Sequence, residues 1–318
     1  METDFYRVYS EYLREKYGEK VYKLPVNLPV SCPNRDGYIS FGGCIFCGEN
    51  AAGFESLSNE MSVTAQLEKN AEYIGKKYGA KKFIAYFQNF TNTYMPVDMF
   101  EKYMREAADF GVVEIDVSTR PDCVNEKYLE ILKSIKEDAG VEISVELGLQ
   151  TANYHTLEKI NRGHLLAEFI DAVLAVRKFG FETCVHVILD FPSDEHIDTV
   201  ETAKIISALK VDGVKMHSLY VVKNTPLAKA FEKGEITLLP VEEYVKRAVL
   251  FLRHISPHTV IHRLVGRAPQ DDTLLVNNGI SWWKIKDMIL ESMQKENAVQ
   301  GDLCTYLGGA GVKKFIIG

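Results

Sequence analysis

The feature that most limits how this 318-residue chain can fold is a recurrence of apolar runs separated by helical segments. KFIAYFQ (82–88), VVEIDVS (112–118), VEISVELGLQ (141–150), FETCVHVILD (181–190) and GVKMHSLYVV (213–222) start roughly 30–40 residues apart. Helical stretches lie between them, over 62–78, 96–111, 125–138, 153–159, 166–178 and 196–209. Ser62 is placed to cap the first of these, and Pro96 opens the second. Alternation of this kind implies a parallel sheet with right-handed crossovers. Runs such as FIAYF and VHVIL suit strands buried on both faces. With an opening strand near 26–31, about six βα units precede residue 225. That count suits an open, partial (β/α)6 barrel better than a closed eight-stranded one, with a flavodoxin-like doubly wound sheet as the alternative. An N-terminal helix is read over 4–17, with Phe5, Val8, Tyr9, Tyr12 and Leu13 on one stripe. The expected organisation is a core over 1–225 and a C-terminal extension over 226–318 packed on it. The extension reads as helix (240–255), strand (258–264), helix (282–297).

Composition sets broad limits. No run of 18 apolar residues exists, so no membrane span is expected. The opening METDFYRVYSEYLREKYGEK is polar and mixed in charge, unlike a signal peptide, which points to a cytoplasmic protein. Six cysteines in that compartment read as metal ligands or core residues before disulfides. A net charge of −7 argues against wholesale non-specific nucleic-acid binding. Local basic runs remain: Arg7, Arg14, Lys16, Lys20 and Lys23; Lys76, Lys77, Lys81 and Lys82; Lys313 and Lys314. Each is either a solvated face or a surface for phosphates.

Residues 31–60 have little periodicity, and long loops in compact domains are usually functional. This loop holds Cys32, Cys44 and Cys47, spaced C-x11-C-x2-C. Soft thiolates select zinc or iron–sulfur centres. A structural zinc site needs four ligands, and none of the eight histidines lies before residue 155. Three thiolates with one open position fit a 4Fe-4S cluster. Cys123, Cys184 and Cys304 are dispersed and read as core or rim thiols. Sites in parallel α/β folds form where strands end. Those ends are polar here: Gln88-Asn89, Ser118-Thr119-Arg120-Pro121-Asp122, Glu146-Leu147-Gly148-Leu149-Gln150-Thr151, Asp190, and Lys215 with His217. Lys215 and His217 share one face of their strand, read as facing a cavity; Tyr220 falls on the other.

The trio, with an aromatic residue just before its last cysteine (Cys44-Ile45-Phe46-Cys47), resembles the radical S-adenosylmethionine (SAM) superfamily. Its widened first gap is similar to that of the Elongator-catalytic-subunit-like branch. STRPD (118–122), ELGLQT (146–151), INRGH (160–164), KMHSLYVVKNTPL (215–227), YFQNFTNTY (86–94) and HRLVGRAP (262–269) agree. Together they resemble a short bacterial subfamily that includes the Gram-positive enzyme acting on the wobble uridine of tRNA. The resemblance implies a radical SAM partial barrel, a 4Fe-4S cluster on Cys32, Cys44 and Cys47, and SAM chelating the open iron. Reductive cleavage of SAM then yields a 5′-deoxyadenosyl radical that abstracts hydrogen from substrate. By the same resemblance Phe46, Gln88, Asn89, Gln150 and Arg162 contact the cofactor. The usual GGE sequence is absent, and Gln88-Asn89 stand in its place. Arg120, Lys215 and His217 are candidate catalytic residues.

The implied reaction converts 5-carboxymethylaminomethyluridine to 5-aminomethyluridine in the tRNA anticodon stem-loop. A flavodoxin- or ferredoxin-type protein would donate electrons, and a separate methyltransferase would act downstream. The substrate carboxylate needs a cation, for which Arg120, Lys215, Arg263 and Arg267 are candidates. The N-terminal and 76–82 basic runs would meet phosphates. The rivals are a radical enzyme with a small-molecule or lipid substrate, and a non-enzymatic zinc- or iron-binding module.

Overall fold

The computed structural model describes residues 4–48, 56–267 and 272–316. In chain order the elements are α1 (Tyr9–Tyr17), β1 (Val21–Val26), α2 (Val63–Tyr78), β2 (Lys82–Phe87), α3 (Val97–Asp109), β3 (Glu114–Thr119), α4 (Glu126–Ala139) and β4 (Glu142–Gln150). There follow α5 (Tyr154–Lys159), α6 (Leu166–Lys178), β5 (Glu182–Ile188), α7 (His196–Ala208), β6 (Gly213–His217), β7 (Val221–Val222) and α8 (Pro226–Glu232). The chain ends with α9 (Val241–His254), β8 (Val260–Arg263), β9 (Thr273–Leu275) and α10 (Trp282–Glu296). The helix ends follow local chemistry. Ser62 Oγ accepts from the Ala65 amide at 3.2 Å to start α2, and Asn125 caps α4 from the Lys127 amide.

Seven parallel strands form one sheet in the order β1-β2-β3-β4-β5-β6-β8. The order never reverses, which separates this curled half-barrel from a doubly wound sheet. The C-terminal segment supplies the seventh strand: β8 pairs in parallel with β6. β1 lies five residues before the expected opening strand. As the edge strand it accommodates Pro25, which cannot donate to a ladder. The free edge of β8 is covered by the N-terminal segment, where the Ile261 amide donates to the Arg7 carbonyl at 2.9 Å.

The two sheet faces are both buried but chemically opposite. Leu24, Phe87, Val117, Val145, Val185 and Met216 point outward into one core with the helices. Alternate positions point inward, and the register brings Lys23, Tyr86, Asp116, Glu146, His186 and Lys215 onto the concave face. The expectation of burial on both faces holds, but the inner face is ionic. α1 closes the floor of the half-barrel. Lys16 binds Glu114 at 2.9 Å and Glu182 at 2.7 Å, Tyr17 donates to Glu114 at 2.6 Å, and Tyr12 donates to Glu182. No described helix is long and apolar enough to cross a membrane.

Two expectations are corrected. The run 213–222 is not one strand. The Leu219 amide donates to Asp190 Oδ1 at 2.6 Å and Ser218 Oγ to Asn277, which turns the chain off the sheet after His217. Val221 and Val222 then pair antiparallel with β9. The N-terminal basic run is not one surface either: Lys16 plugs the floor, and Lys23 lies inside against Asp116 and Glu146. Lys76 and Lys77 close α2, just before β2 begins, at the end of the sheet opposite the cysteine loop. Lys76 pairs with Glu72 there. Residues 49–55 of the cysteine loop, and Ala268 and Pro269 of HRLVGRAP, lie outside the described residues.

Candidate active site at the cysteine loop

The cysteine loop follows β1 at the C-terminal end of the sheet and folds on itself through short turns. The Arg35 amide donates to the Cys32 carbonyl at 2.8 Å, Gly43 to Asn34 at 2.8 Å, and Cys47 to Cys44 at 3.0 Å. The loop is then pinned to the turn after α5. Asn34 Nδ2 donates to the Asn161 carbonyl at 2.6 Å, Asn161 Nδ2 to the Gly43 carbonyl at 2.9 Å, and the Ile45 amide to the Ile160 carbonyl at 3.0 Å. Gly163, at φ +79, leaves the space that Asn34 Oδ1 occupies. INRGH is thus the platform on which CPNRDG and CIFC are set.

Each cysteine sulfur faces a donor. Cys32 Sγ lies 4.0 Å from Arg120 Nη1. Cys44 Sγ lies 3.7 Å from Asn34 Nδ2 and 3.6 Å from Arg162 Nη1, and Cys47 Sγ 3.7 Å from Arg35 Nη1. Burial and the neighbouring Cys44 raise the Cys47 thiol to about 11. Unaided, that thiol stays protonated; a bound metal supplies the positive charge that makes it a ligand. One tetrahedral zinc ion would need sulfurs only about 4 Å apart. Among the described residues, the candidate ligand atoms within 4.8 Å of one another are those of Glu146, Cys184 and His262, not the cysteine trio. The wider trio suits a polynuclear iron–sulfur cluster. Glu146 already binds Lys23 and Lys215, so the inner triad faces two ammonium groups rather than a cation vacancy.

The other predicted residues surround this loop. Arg162 donates to the Gly148 carbonyl at 2.8 Å, and its buried Nε has no hydrogen-bond partner among the described residues. Gln150 sits at φ +77, just past the register shift in β4, with its amide nitrogen over Gly148. Gln88 is half-buried and donates to Ser56 Oγ at 2.7 Å. Asn89 is buried and brackets the backbone of Leu28, accepting from its amide and donating to its carbonyl. Phe46 packs beside Phe191, with ring centres 6.1 Å apart, in a small cluster with Leu157, Ile160 and Leu219. Arg120 grips Asp122 through two bonds of 2.8 and 2.7 Å, so its charge is already paired.

Lys215 and His217 do face inward, as their spacing implied. Lys215 Nζ binds Glu146 and lies 3.1 Å from Tyr86 OH. Burial lowers Lys215 to about 8 against the pull of Glu146. Burial pushes Glu146 up, but Lys215 and Lys23 outweigh it and hold the carboxyl well below the usual range. Burial and the Glu146 charge push Asp116 upward. His186 Nε2 meets Glu146 at 2.8 Å, and its Nδ1 lies 3.3 Å from His217 Nε2. Burial lowers His186 to about 4, so the ring is neutral. Sequence reading by strand ends listed Glu146 without giving it a role, grouped Lys23 with the basic runs, and missed Asp116 and His186. Their signal was a charged or imidazole residue at alternate positions of otherwise apolar strands.

Residues 30–206 match the Radical SAM superfamily, and residues 211–295 the Radical SAM C-terminal domain. The chain belongs to the radical SAM superfamily. It is 33% identical over 297 residues to the uncharacterized protein YtqA of Bacillus subtilis, covering 93% of this chain and 92% of that one. It is 26% identical over 196 residues to a tRNA uridine(34) acetyltransferase of Methanocaldococcus jannaschii, covering 60% of this chain and 35% of that protein. Among solved structures, the fold is shared with an archaeal Elp3 from Methanocaldococcus infernus. The TM-score is 0.68 at 17% identity, covering 88% of this chain and 64% of that chain. Radical SAM enzymes use a 4Fe-4S cluster and SAM, and both suit this site: three gathered thiols with donors aimed at them, beside an unpartnered Arg162 Nε.

Proposed function

We propose that this radical SAM enzyme acts on the wobble uridine of tRNA, removing the carboxymethyl group of 5-carboxymethylaminomethyluridine to leave 5-aminomethyluridine. With cluster and SAM bound, the site is supplied with a 5′-deoxyadenosyl radical as hydrogen-atom abstractor. The chain's own residues bind and orient. Cys32, Cys44 and Cys47 hold iron, Arg162 and Gln150 meet the methionyl carboxylate and ribose, and Gln88 stands where the methionyl amine is held. Phe46 shields the cluster from water. The hydrogen taken is one of the CH2 between amine and carboxylate, where the resulting radical is stabilised from both sides. Loss of one electron to a protein redox partner and of one proton gives an imine. Water adds across it, and the C–N bond breaks to release glyoxylate and the free amine.

The observation that carries this reading is the combination of a radical SAM half-barrel with relatives that include a protein named for uridine 34 of tRNA. A local feature supports it. The long first gap of the cysteine motif forms a turn, closed by the Asp36–Phe41 bridge, whose Tyr38 and Phe41 are 80% and 78% exposed beside the cluster loop. Exposed aromatics at a site mouth suit stacking on unpaired bases. A flavodoxin or ferredoxin as electron donor and a methyltransferase acting on the product complete the proposal. The test is nucleoside analysis of tRNA from cells with and without the protein, joined to an anaerobic assay with carboxymethylaminomethyl tRNA. One equivalent each of 5′-deoxyadenosine and glyoxylate per nucleoside changed is expected; absence of glyoxylate would rule out this route. The second reading, a small-molecule or lipid substrate, draws on the net charge of −7 and on the distance of Lys76 and Lys77 from the site.

A further inference from the structure

Four cations stood as partners for a substrate carboxylate: Arg120, Lys215, Arg263 and Arg267. Three are already engaged. Arg120 is forked onto Asp122, Lys215 is held by Glu146, and the exposed Arg267 guanidinium lies 4.1 Å over the Trp282 ring. Arg263 differs. It sits at the end of β8, in register with Lys215 and on the same concave face. Among the described residues no carboxylate pairs with it, and its Nε is buried with no hydrogen-bond partner.

Its contact with His217 is a poor substitute for an anion. Arg263 Nη2 and His186 Nδ1 each lie 3.3 Å from His217 Nε2. That nitrogen has one lone pair and cannot serve both. With His186 Nε2 donating to Glu146, a neutral His186 offers only an Nδ1 lone pair: His217 Nε2 either donates to it and leaves Arg263 Nη2 without an acceptor, or accepts from Arg263 and leaves His186 Nδ1 without a donor. Burial, and then the Arg263 charge itself, holds His217 well below the usual histidine range. Gly266 leaves the room that the His217 ring needs, since a β carbon there would lie 2.9 Å from Nδ1. The guanidinium therefore rests against a neutral ring. His217 and Arg263 both lie at the C-terminal ends of parallel strands, the end of the sheet that carries the cysteine loop.

We propose that Arg263, with His217 beside it, is the seat for a carboxylate of the substrate. The fork of a guanidinium matches a carboxylate in two parallel bonds, and a buried unpaired donor favours any ligand that completes it. This rests on the wobble-uridine reading and narrows it. The glycine-like arm enters carboxylate first toward β8, which leaves its CH2 on the side of the cysteine loop. Arg120 and Lys215 then serve as positioning residues, one for the cluster loop and one for the half-barrel interior.

The test uses the holoenzyme and two anticodon stem-loop RNAs, one with carboxymethylaminomethyluridine and one with aminomethyluridine at the wobble position. Wild type should bind the first roughly ten- to a hundredfold tighter. R263Q should bind both equally, at the weaker affinity, and R263K should fall between while retaining iron and thermal stability. A preference retained in R263Q overturns the assignment. A second arm needs no RNA: malonate titrated into protein carrying 15N-histidine should shift the His217 Nε2 resonance in wild type and not in R263Q. If wild type neither prefers nor converts the modified RNA, the tRNA reading falls and the malonate response still decides the carboxylate seat. No response in wild type overturns that seat.

Discussion

Gly148 lacks a side chain where Arg162 lies: a β carbon there would fall 2.7 Å from Arg162 Nη2 and 2.8 Å from Gln150 Nε2. The glycine of ELGLQT therefore lets Arg162 and Gln150, the two groups proposed to meet SAM, converge over one strand end. G148A should displace the guanidinium and weaken SAM binding by at least about tenfold, since a charged hydrogen bond is at stake, while iron is retained. G163A should do the reverse, because its positive φ and the Asn34 oxygen leave no room for a methyl group, so the cysteine loop loses its platform and iron is lost. Iron assay and equilibrium SAM binding on both variants check the split; iron retained in G163A would contradict it.

The proposed function assigns three of the six cysteines to the metal site. C32A, C44A and C47A should each abolish the visible absorbance of the reconstituted cluster, whereas C184A and C304A should leave iron and sulfide content unchanged. Cys184 is buried near His262, 3.6 Å away, and Cys304 lies outside the barrel near the C-terminus.

Glu146 is the hub of the half-barrel interior, shared by Lys23, Lys215 and His186. E146Q leaves Lys215 without its carboxylate and Lys23 with Asp116 alone, and should destabilise the protein by about 3–5 kcal/mol, as breaking a buried pair does. The double substitution E146L/K215M should cost less than E146Q alone, because it removes a stranded charge. Urea unfolding of the three proteins decides it; a double variant weaker than E146Q would refute the pairing argument.

Asp190 anchors the turn after β6, and burial raises its carboxyl to about 7. A carboxyl raised on folding contributes most when protonated. Its contribution is full below the ordinary carboxylate range, falls as pH rises, and is gone above about 7. D190N cannot ionise and keeps an oxygen for the Leu219 amide. Unfolding midpoints from pH 4 to 8 should show wild type losing on the order of a few kcal/mol relative to D190N. Parallel profiles would place Asp190 in the ordinary range.

Tyr38 and Phe41 project beside the cluster loop. If they stack on anticodon bases, Y38A and F41A should each weaken stem-loop binding by about 1–3 kcal/mol while iron content and SAM affinity stay the same. Fluorescence anisotropy at two salt concentrations measures this. Undiminished binding would leave the turn with no part in RNA recognition.

The sequence by itself determined the α/β alternation, the helix cap at Ser62 and the superfamily, and it picked out the cysteine trio as the candidate ligands. These are local quantities: strand period, cap chemistry, and ligand spacing within one loop. It also ran the strand of Lys215 through to Val222 and grouped Lys16 and Lys23 with surface lysines, because nothing local distinguishes a lysine facing water from one facing Glu146. Tertiary structure decided those points. Curling seven parallel strands with their alternate residues inward brings Lys23, Asp116, Glu146, His186 and Lys215 together from five different strands. It also decided which arginine remains available. Arg120 meets Asp122 two residues away, while Arg263 reaches His217 across 46 positions of chain and finds no carboxylate among the described residues. Charge pairing of that kind depends on which side chains meet in space, and only the closed fold defines them.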